Sequence, residues 1–145
     1  MKSRLFRRRG ERGAALLEAA ITVPIILLIS VGIFEFGRAY QTWQVLTNAA
    51  REGARLAVIN GSTDSDVVTR VRSYMTAGQL PNAATATVTV NRNVALTGAD
   101  TGSQITINYP FQFMVLNPVV RLVSPSATTG APITMQSSAL MRNES

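Results

Sequence analysis

The sequence predicts an α+β protein in which a long N-terminal helix, first transmembrane and then a stalk, packs against a small antiparallel β-sheet head. Three observations predict it: an apolar run over residues 14–34, a helical stripe that continues to about Ile59, and three alternating runs after Ser62. With 145 residues, the chain has room for one modest domain and an appendage. We therefore divide it into residues 1–13, a helix over 14–59 and a head over 60–145.

The net charge of +6 is concentrated at the N-terminus. Residues 1–13 hold six basic side chains against Glu11, which gives +5 and leaves +1 for the rest of the chain. Binding to nucleic acid requires basic residues spread over a folded face. A short basic run directly before an apolar segment is instead a topology signal. We therefore expect no nucleic acid partner, residues 1–13 in the cytoplasm and the chain after Glu35 outside.

Residues 14–34 form the predicted membrane span. As a helix these 21 residues would measure about 31 Å, close to the hydrocarbon thickness of a bilayer. Glu18 is the only charge among them, and a charge costs roughly 3 kcal/mol at the bilayer centre and less near the interface. Either its carboxylate reaches back to the headgroups or to Arg12, or it needs a cation when subunits pack together.

Three outcomes of processing are compatible with the segment. In the first, a secretory peptidase cuts after residues 37–39, where Gly37 and Ala39 are small. In the second, the segment is an uncleaved signal anchor that keeps its N-terminus. In the third, a peptidase cuts on the cytoplasmic side, before the apolar helix. Hydropathy alone favours the uncleaved anchor.

A resemblance to a known kind of cleavage site favours the third outcome. Following a basic leader, Gly13-Ala14-Ala15-Leu16-Leu17-Glu18 resembles the type IV prepilin site: a Gly, then a Glu as the fifth residue of the mature chain. The resemblance implies that a prepilin peptidase cuts between Gly13 and Ala14 and leaves the apolar helix attached. It also implies that Glu18 pairs with the new ammonium of a neighbouring subunit's Ala14 and sets the register of assembly.

Residues 14–58 further resemble the TadE-like pseudopilins of the tight-adherence (Tad, or Flp) pilus system. The resemblance rests on Pro24, on Glu35-Phe36-Gly37-Arg38, on the residues 48–55, and at the end of the chain on residues 133–144. Ala19 departs from the Tyr that major Flp pilins usually have there, and from the Phe of many TadE-like proteins, which argues against a major pilin.

The resemblance implies a pilin-like fold and a non-enzymatic minor pseudopilin of the bacterial inner membrane. The partners it implies are the prepilin peptidase, other pilins or pseudopilins, the Tad inner-membrane assembly platform and the lipid bilayer. The alternative is a signal-anchored, single-pass envelope protein whose head binds a ligand or partner without polymerising.

The stalk carries one stripe of residues at helical spacing, aromatic near the membrane and small further away. We expect the small residues to contact the head, and the aromatic ones either to lie at the membrane–water boundary or to pack against the head. The residues of the stripe are Tyr40, Trp43, Leu46, Ala50, Gly53, Ala54 and Ala57.

Two further features of the long helix have alternative interpretations. Glu35 and Arg38 are three apart and can meet on one helix face; we expect that face to be solvated, with an intersubunit contact as the alternative. Pro24 removes a backbone hydrogen bond, and either softens the helix for extraction from the membrane or is a kink that the bilayer tolerates.

In the head, Thr63 or Asp64 is expected to cap a short helix that ends at Gly78. Strands are predicted over 84–90, 105–113 and 133–141, with residues 99–102 in a connection and residues 117–132 in a stretch punctuated by prolines. Pro110 predicts an edge strand or a bulge in the second of these strands.

The residues that carry most enzyme chemistry are absent. The chain has neither Cys nor His, which removes thiolate and imidazole ligands and His-dependent triads. The four acids of the head are scattered, and Asp64-Ser65-Asp66 lacks the rest of a calcium loop. We therefore predict no catalytic residue, no metal site and no cofactor.

Overall fold

The computed structural model describes residues 4–96, 100–123 and 131–143. The elements, in chain order, are α1 (Arg4–Ala57), α2 (Asp64–Ala77), one 3-10 turn (Ala83–Thr85), β1 (Thr87–Ala95), β2 (Thr101–Phe111), α3 (Leu116–Val123) and β3 (Ile133–Arg142). The strands form one antiparallel sheet in the order β1-β2-β3. The predicted class, a long N-terminal helix packed against a small antiparallel sheet, is confirmed.

Helix α1 is long enough to serve both as a span and as a support for the head. Its 54 residues measure about 81 Å at the rise of an α-helix. It ends at Ala57, two residues before the expected Ile59, where Arg92 Nη1 donates to the Ala57 carbonyl at 2.7 Å. Gly61 then turns the chain with a φ of +87°, a conformation that glycine adopts without a steric cost.

Helix α2 packs across α1 and begins with a capping box. The Thr63 hydroxyl accepts a hydrogen bond from the backbone N–H of Asp66, and the Asp66 carboxylate accepts one from the backbone N–H of Thr63. Thr63 is therefore the cap, as one of the two expected residues. The apolar side of α2 is buried through Val67, Val71 and Met75.

The core lies between α1, α2 and the sheet. Strand β2 contributes every second side chain to it, and the stalk contributes mainly small residues that allow the sheet and α2 to approach closely. The apolar core residues that are at most 3% exposed are Leu46, Ala49, Ala50, Ala54, Ala57, Val67, Val71, Met75, Ala86, Ile105, Ile107, Tyr109 and Phe111.

Pro110 lies in the central strand, so the expectation of an edge strand or a bulge at this residue is wrong. The pairing of β1 with β2 ends at Thr87 opposite Asn108, and Pro110 lies beyond that pair. Its carbonyl accepts from Asn82 Nδ2 at 3.0 Å, on the side that β1 no longer covers. The missing N–H therefore faces the unpaired side, since the N–H and C=O of one strand residue point the same way.

Further elements of the head differ from the prediction. The first strand begins at Thr87, because residues 83–85 form a 3-10 turn that buries Ala83. Thr101 and Gly102 belong to β2, where they pair with β1 and Gly102 also pairs with β3, so they do not lie in a connection; Ala99 lies outside the described residues. Helix α3 occupies part of the proline-punctuated stretch, with Pro118 in its first turn, where no N–H is required.

Candidate functional site: an uncovered apolar helix and its junction with the head

Among the residues that the structure describes, none covers the apolar part of α1. Residues 13–30 are all exposed, and the large apolar side chains among them are more than half exposed. Among the described residues, α1 is the one helix long and apolar enough to cross a membrane. Because such a surface is not stable in water, this segment is a candidate membrane anchor.

The residues expected at the cleavage site lie inside this uncovered helix. Gly13 and Ala14 are helical and exposed, and nothing lies within 4 Å of the position a Cβ would take on Gly13. Glu18 is exposed one turn further on. The helix continues through Pro24, which leaves the carbonyl of Ala20 without its usual donor.

Glu35, the first residue after the apolar segment, is charged and yet only 3% exposed. Its Oε1 accepts hydrogen bonds from the backbone N–H groups of Val115 and Leu116, and its Oε2 accepts from Arg38 Nη1 at 2.8 Å. Leu116 is the first residue of α3, so the carboxylate satisfies donors at the start of a helix that lies 81 residues away in sequence. The solvated face expected for this pair is therefore wrong for Glu35.

The environment of Glu35 favours its ionised form. Burial raises the pKa of this carboxyl, but the N–H donors of Val115 and Leu116 and the charge of Arg38 act in the opposite direction and together outweigh burial. Its pKa consequently lies below the ordinary value of a glutamate. The junction thus contains a buried carboxylate whose charge is compensated within its own chain.

Arg38 joins the same carboxylate to the end of β2. Its two terminal nitrogens make long hydrogen bonds, of 3.5 and 3.4 Å, to the carbonyl of Gln112. Its guanidinium carbon also lies 5.3 Å from the centre of the Phe111 ring, within the range of a cation–π contact. Glu35 and Arg38 together hold the segment between β2 and α3 against α1.

The small residues of the stalk lie against the head. Ala50 and Ala54 are fully buried, and Gly53 is buried where α1 meets α2 and β2. A Cβ on Gly53 would lie 2.5 Å from Val71 Cγ2, so the absence of a side chain permits this approach.

The two aromatic residues of the stalk remain outside the core. Tyr40 is 54% and Trp43 46% exposed, with ring centres 6.3 Å apart. The Tyr40 hydroxyl accepts from Gln44 Nε2, a neighbour on the same helix. Neither ring is enclosed by the head, and both present apolar surface just beyond the membrane span.

Sequence reasoning missed the partners of the stalk. The donors to Glu35 and the acceptor of Arg38 are backbone groups of residues 112–116, and backbone groups carry no residue-type signature. Arg92, which caps α1 and also pairs with Asp64 at 2.6 Å, lacks a local pattern as well.

The junction contains no arrangement typical of catalysis. A cavity of about 210 Å³ beside Arg38 is lined mainly by aromatic and amide side chains, and Arg38 is its charged residue. Within residues 4–96, 100–123 and 131–143 there is no group of three or more His, Cys, Asp or Glu that could hold a metal ion. The geometry supports packing and attachment rather than proton transfer.

The comparison with known proteins found a similarity in the N-terminal part of the chain, which forms most of this site. The family model described as TadE-like protein matches residues 13–55. No match was found among curated proteins or among solved structures. The matched segment begins at Gly13, contains the exposed apolar helix and the Glu35–Arg38 pair, and ends with the small residues that hold the head. The chain is thus similar to TadE-like proteins over its long N-terminal helix, as its sequence had indicated.

Proposed function

We propose that this chain is a minor pseudopilin, a non-enzymatic structural and assembly subunit of a Tad/Flp-type pilus. The TadE-like match supports a protein associated with the Tad pilus, a structural kind of protein. The observation that carries the proposal is the contrast within α1: residues 13–30 are uncovered, whereas the stalk beyond Glu35 is covered along one side by the head. Such a helix needs a bilayer when the subunit is stored and other apolar helices when it is assembled.

The proposal assigns two successive roles to the start of α1. A prepilin peptidase cuts between Gly13 and Ala14 on the cytoplasmic side of the inner membrane and removes the basic residues 1–13. The side chains of the remaining chain then sum to +1. The exposed Glu18 carboxylate accepts the Ala14 ammonium of a neighbouring subunit, because a charge pair attracts strongly in a medium of low dielectric.

The partners follow from these roles. They are the peptidase, other pilins or pseudopilins, the Tad assembly platform in the inner membrane, and the lipid bilayer. Pro24 softens the helix where the subunit must leave the membrane. The head, fixed to the stalk by the Glu35 and Arg38 contacts, is carried outward as one piece with α1.

The processing step is tested by the N-terminus of the mature protein. When the chain is produced together with a prepilin peptidase and extracted from membranes, its intact mass and N-terminal sequence should correspond to a start at Ala14. Gly13→Leu should leave the full chain, because the residue before the cut is then too large for a site that recognises glycine; Gly32→Leu, also without neighbours within 4 Å, is the matched control. A start at Met1 would favour the signal-anchored envelope protein, and a start at Tyr40 a secreted one.

The assembly step is tested separately with Glu18. In cells that make the pilus, Glu18→Ala should be cut at Ala14 like the unchanged chain but should be lost from isolated filaments, because a neighbouring ammonium would lie unpaired in an apolar environment. Glu18→Asp keeps the charge and should retain part of the incorporation. Normal incorporation of the alanine variant would remove the role in register that we give to this carboxylate.

A further inference from the structure

The contacts between α1 and the head show how far each part of the head lies from the membrane span. The start of α3 is bonded to Glu35, and Gln112 is bonded to Arg38, whereas Ser137 contacts Thr47 and Arg92 contacts Ala57. At 1.5 Å per residue, the contact at Ala57 lies about 33 Å further along the helix than the contact at Glu35. Of these contacts, those of residues 112–116 thus lie nearest to the membrane span.

This position places the start of α3 in the headgroup layer. Glu35 directly follows Phe34, the last residue of the apolar segment, and the polar layer of a bilayer is about 5–8 Å thick on each side. A backbone group bonded to Glu35 therefore lies at or inside the surface of the bilayer whenever residues 14–34 span it. No rearrangement of the head is required.

The composition of this region fits a membrane surface. Helix α3 has the sequence LNPVVRLV, in which five of eight residues are large and apolar and one, Arg121, is charged. Helices with apolar residues on one face and Lys or Arg on the other lie in the plane of the interface. Met114, which directly precedes the capped N–H groups, is 61% exposed, and Pro118 and Arg121 are exposed as well.

From these observations we infer that Met114 and α3 form a second membrane contact, which rests on the outer face of the same bilayer that α1 crosses. The occupant of this surface is lipid, since Met114 is exposed and the Glu35 carboxylate fixes the start of α3 to the end of the segment whose apolar side chains are exposed. The contact would set the tilt of the stored subunit and would have to be given up on extraction. It requires the membrane anchor alone and goes beyond the proposed role in a pilus.

Single cysteines can test the depth of this contact, because the chain has none of its own. The full-length chain is placed in phosphatidylcholine–phosphatidylglycerol vesicles with an environment-sensitive fluorophore at Met114→Cys or Pro118→Cys. Leu27→Cys, in the middle of the span, is the deep reference. Arg72→Cys is the solvated reference, since it adjoins Val71, which contacts Gly53, and so lies about 27 Å beyond Glu35.

The two α3-region labels should emit to the blue of the Arg72 label, and lipids with a nitroxide near the headgroup should quench them more than lipids with a nitroxide at the chain end. Labels that match the Arg72 spectrum would overturn the inference while leaving the anchor intact. A blue shift that neither lipid quenches and that disappears on dilution with lipid would mean that a second copy covers the patch, which also overturns it. A Leu27 label outside the lipid would refute both the anchor and the contact.

Discussion

Replacing Glu35 with alanine is expected to lower the free energy of unfolding of the head by about 2–3 kcal/mol. The change removes a buried acceptor of two backbone N–H groups and of the Arg38 guanidinium. The two N–H groups at the start of α3 would lose their partner, a glutamate that is only 3% exposed. The effect stays below the full cost of a broken buried pair, because the Arg38 side chain is 25% exposed and water can solvate it.

The same contact makes a definite contribution to the dependence of stability on pH. Because the folded state lowers the pKa of Glu35, its stabilising effect is fully present above the unfolded pKa, near 4.5, and is lost as the pH falls through the lower, folded pKa. The difference in stability between the unchanged chain and Glu35→Gln should therefore be constant above about pH 5.5 and decrease below it. Urea unfolding in detergent micelles, followed by near-UV circular dichroism, measures both quantities.

Glu52 provides the matched control. It also pairs with an arginine three residues later, Arg55, and with Arg70 of α2 at 2.7 Å, but these arginine side chains are 68% and 53% exposed. Glu52→Ala should therefore cost less than about 1 kcal/mol. Equal losses for the two alanine variants would mean that Glu35 acts as an ordinary surface ion pair and that its hydrogen bonds to α3 add nothing.

Local patterns predicted much of the fold. Helical spacing over residues 46–57 and over residues 67–75, and alternation in the strand from Ile105, follow from which side of each element is buried. The small residues Ala50, Gly53 and Ala54 indicated close packing for the same reason. These properties are written in neighbouring residues and need no knowledge of the rest of the chain.

The features that were missed depend on distant parts of the chain. The pair Glu35 and Arg38 resembles Glu52 and Arg55 in spacing, yet one glutamate caps the start of α3 and the other faces α2 near the surface. Pro110 indicated an edge strand. The sequence cannot show that the pairing of β2 with β1 stops at Asn108, two residues before this proline. Helix α3 was hidden by Pro118, since a proline that stops a helix and one in its first turn look alike.

These differences have one common physical origin. Elements that are distant in sequence decide whether a charge is buried and where a strand is paired. The groups through which they act are backbone N–H and C=O groups, which do not depend on the type of residue except at proline. The TadE-like match covers the helix that local patterns describe well. Helix α3, which lies outside the matched residues and contributes a donor to Glu35, is located only by the structure.

Replacing Gly53 with leucine is expected to destabilise the head by about 3 kcal/mol, the cost of overpacking a core at a close helix–helix contact. The first side-chain atom alone would lie 2.5 Å from Val71 Cγ2 and 3.4 Å from Ile105 Cγ2. Val71 and Ile105 are fully buried and branched at Cβ, so neither can turn away without moving α2 or β2. Gly53→Ala should lower the free energy of unfolding by less, because the helix propensity of alanine is about 1 kcal/mol better than that of glycine and offsets part of the clash.

Gly37→Leu is the control that separates packing from helix propensity. Gly37 lies in the same helix, with nothing within 4 Å of the position of a Cβ, so leucine there should leave the stability unchanged or raise it by up to about 1 kcal/mol. The same substitution is thus expected to have opposite effects at two positions 16 residues apart. Urea unfolding in micelles measures the free energy of unfolding of both variants. Similar values would show that α1 and α2 do not approach each other closely at Gly53 and that the stalk does not form one side of the core.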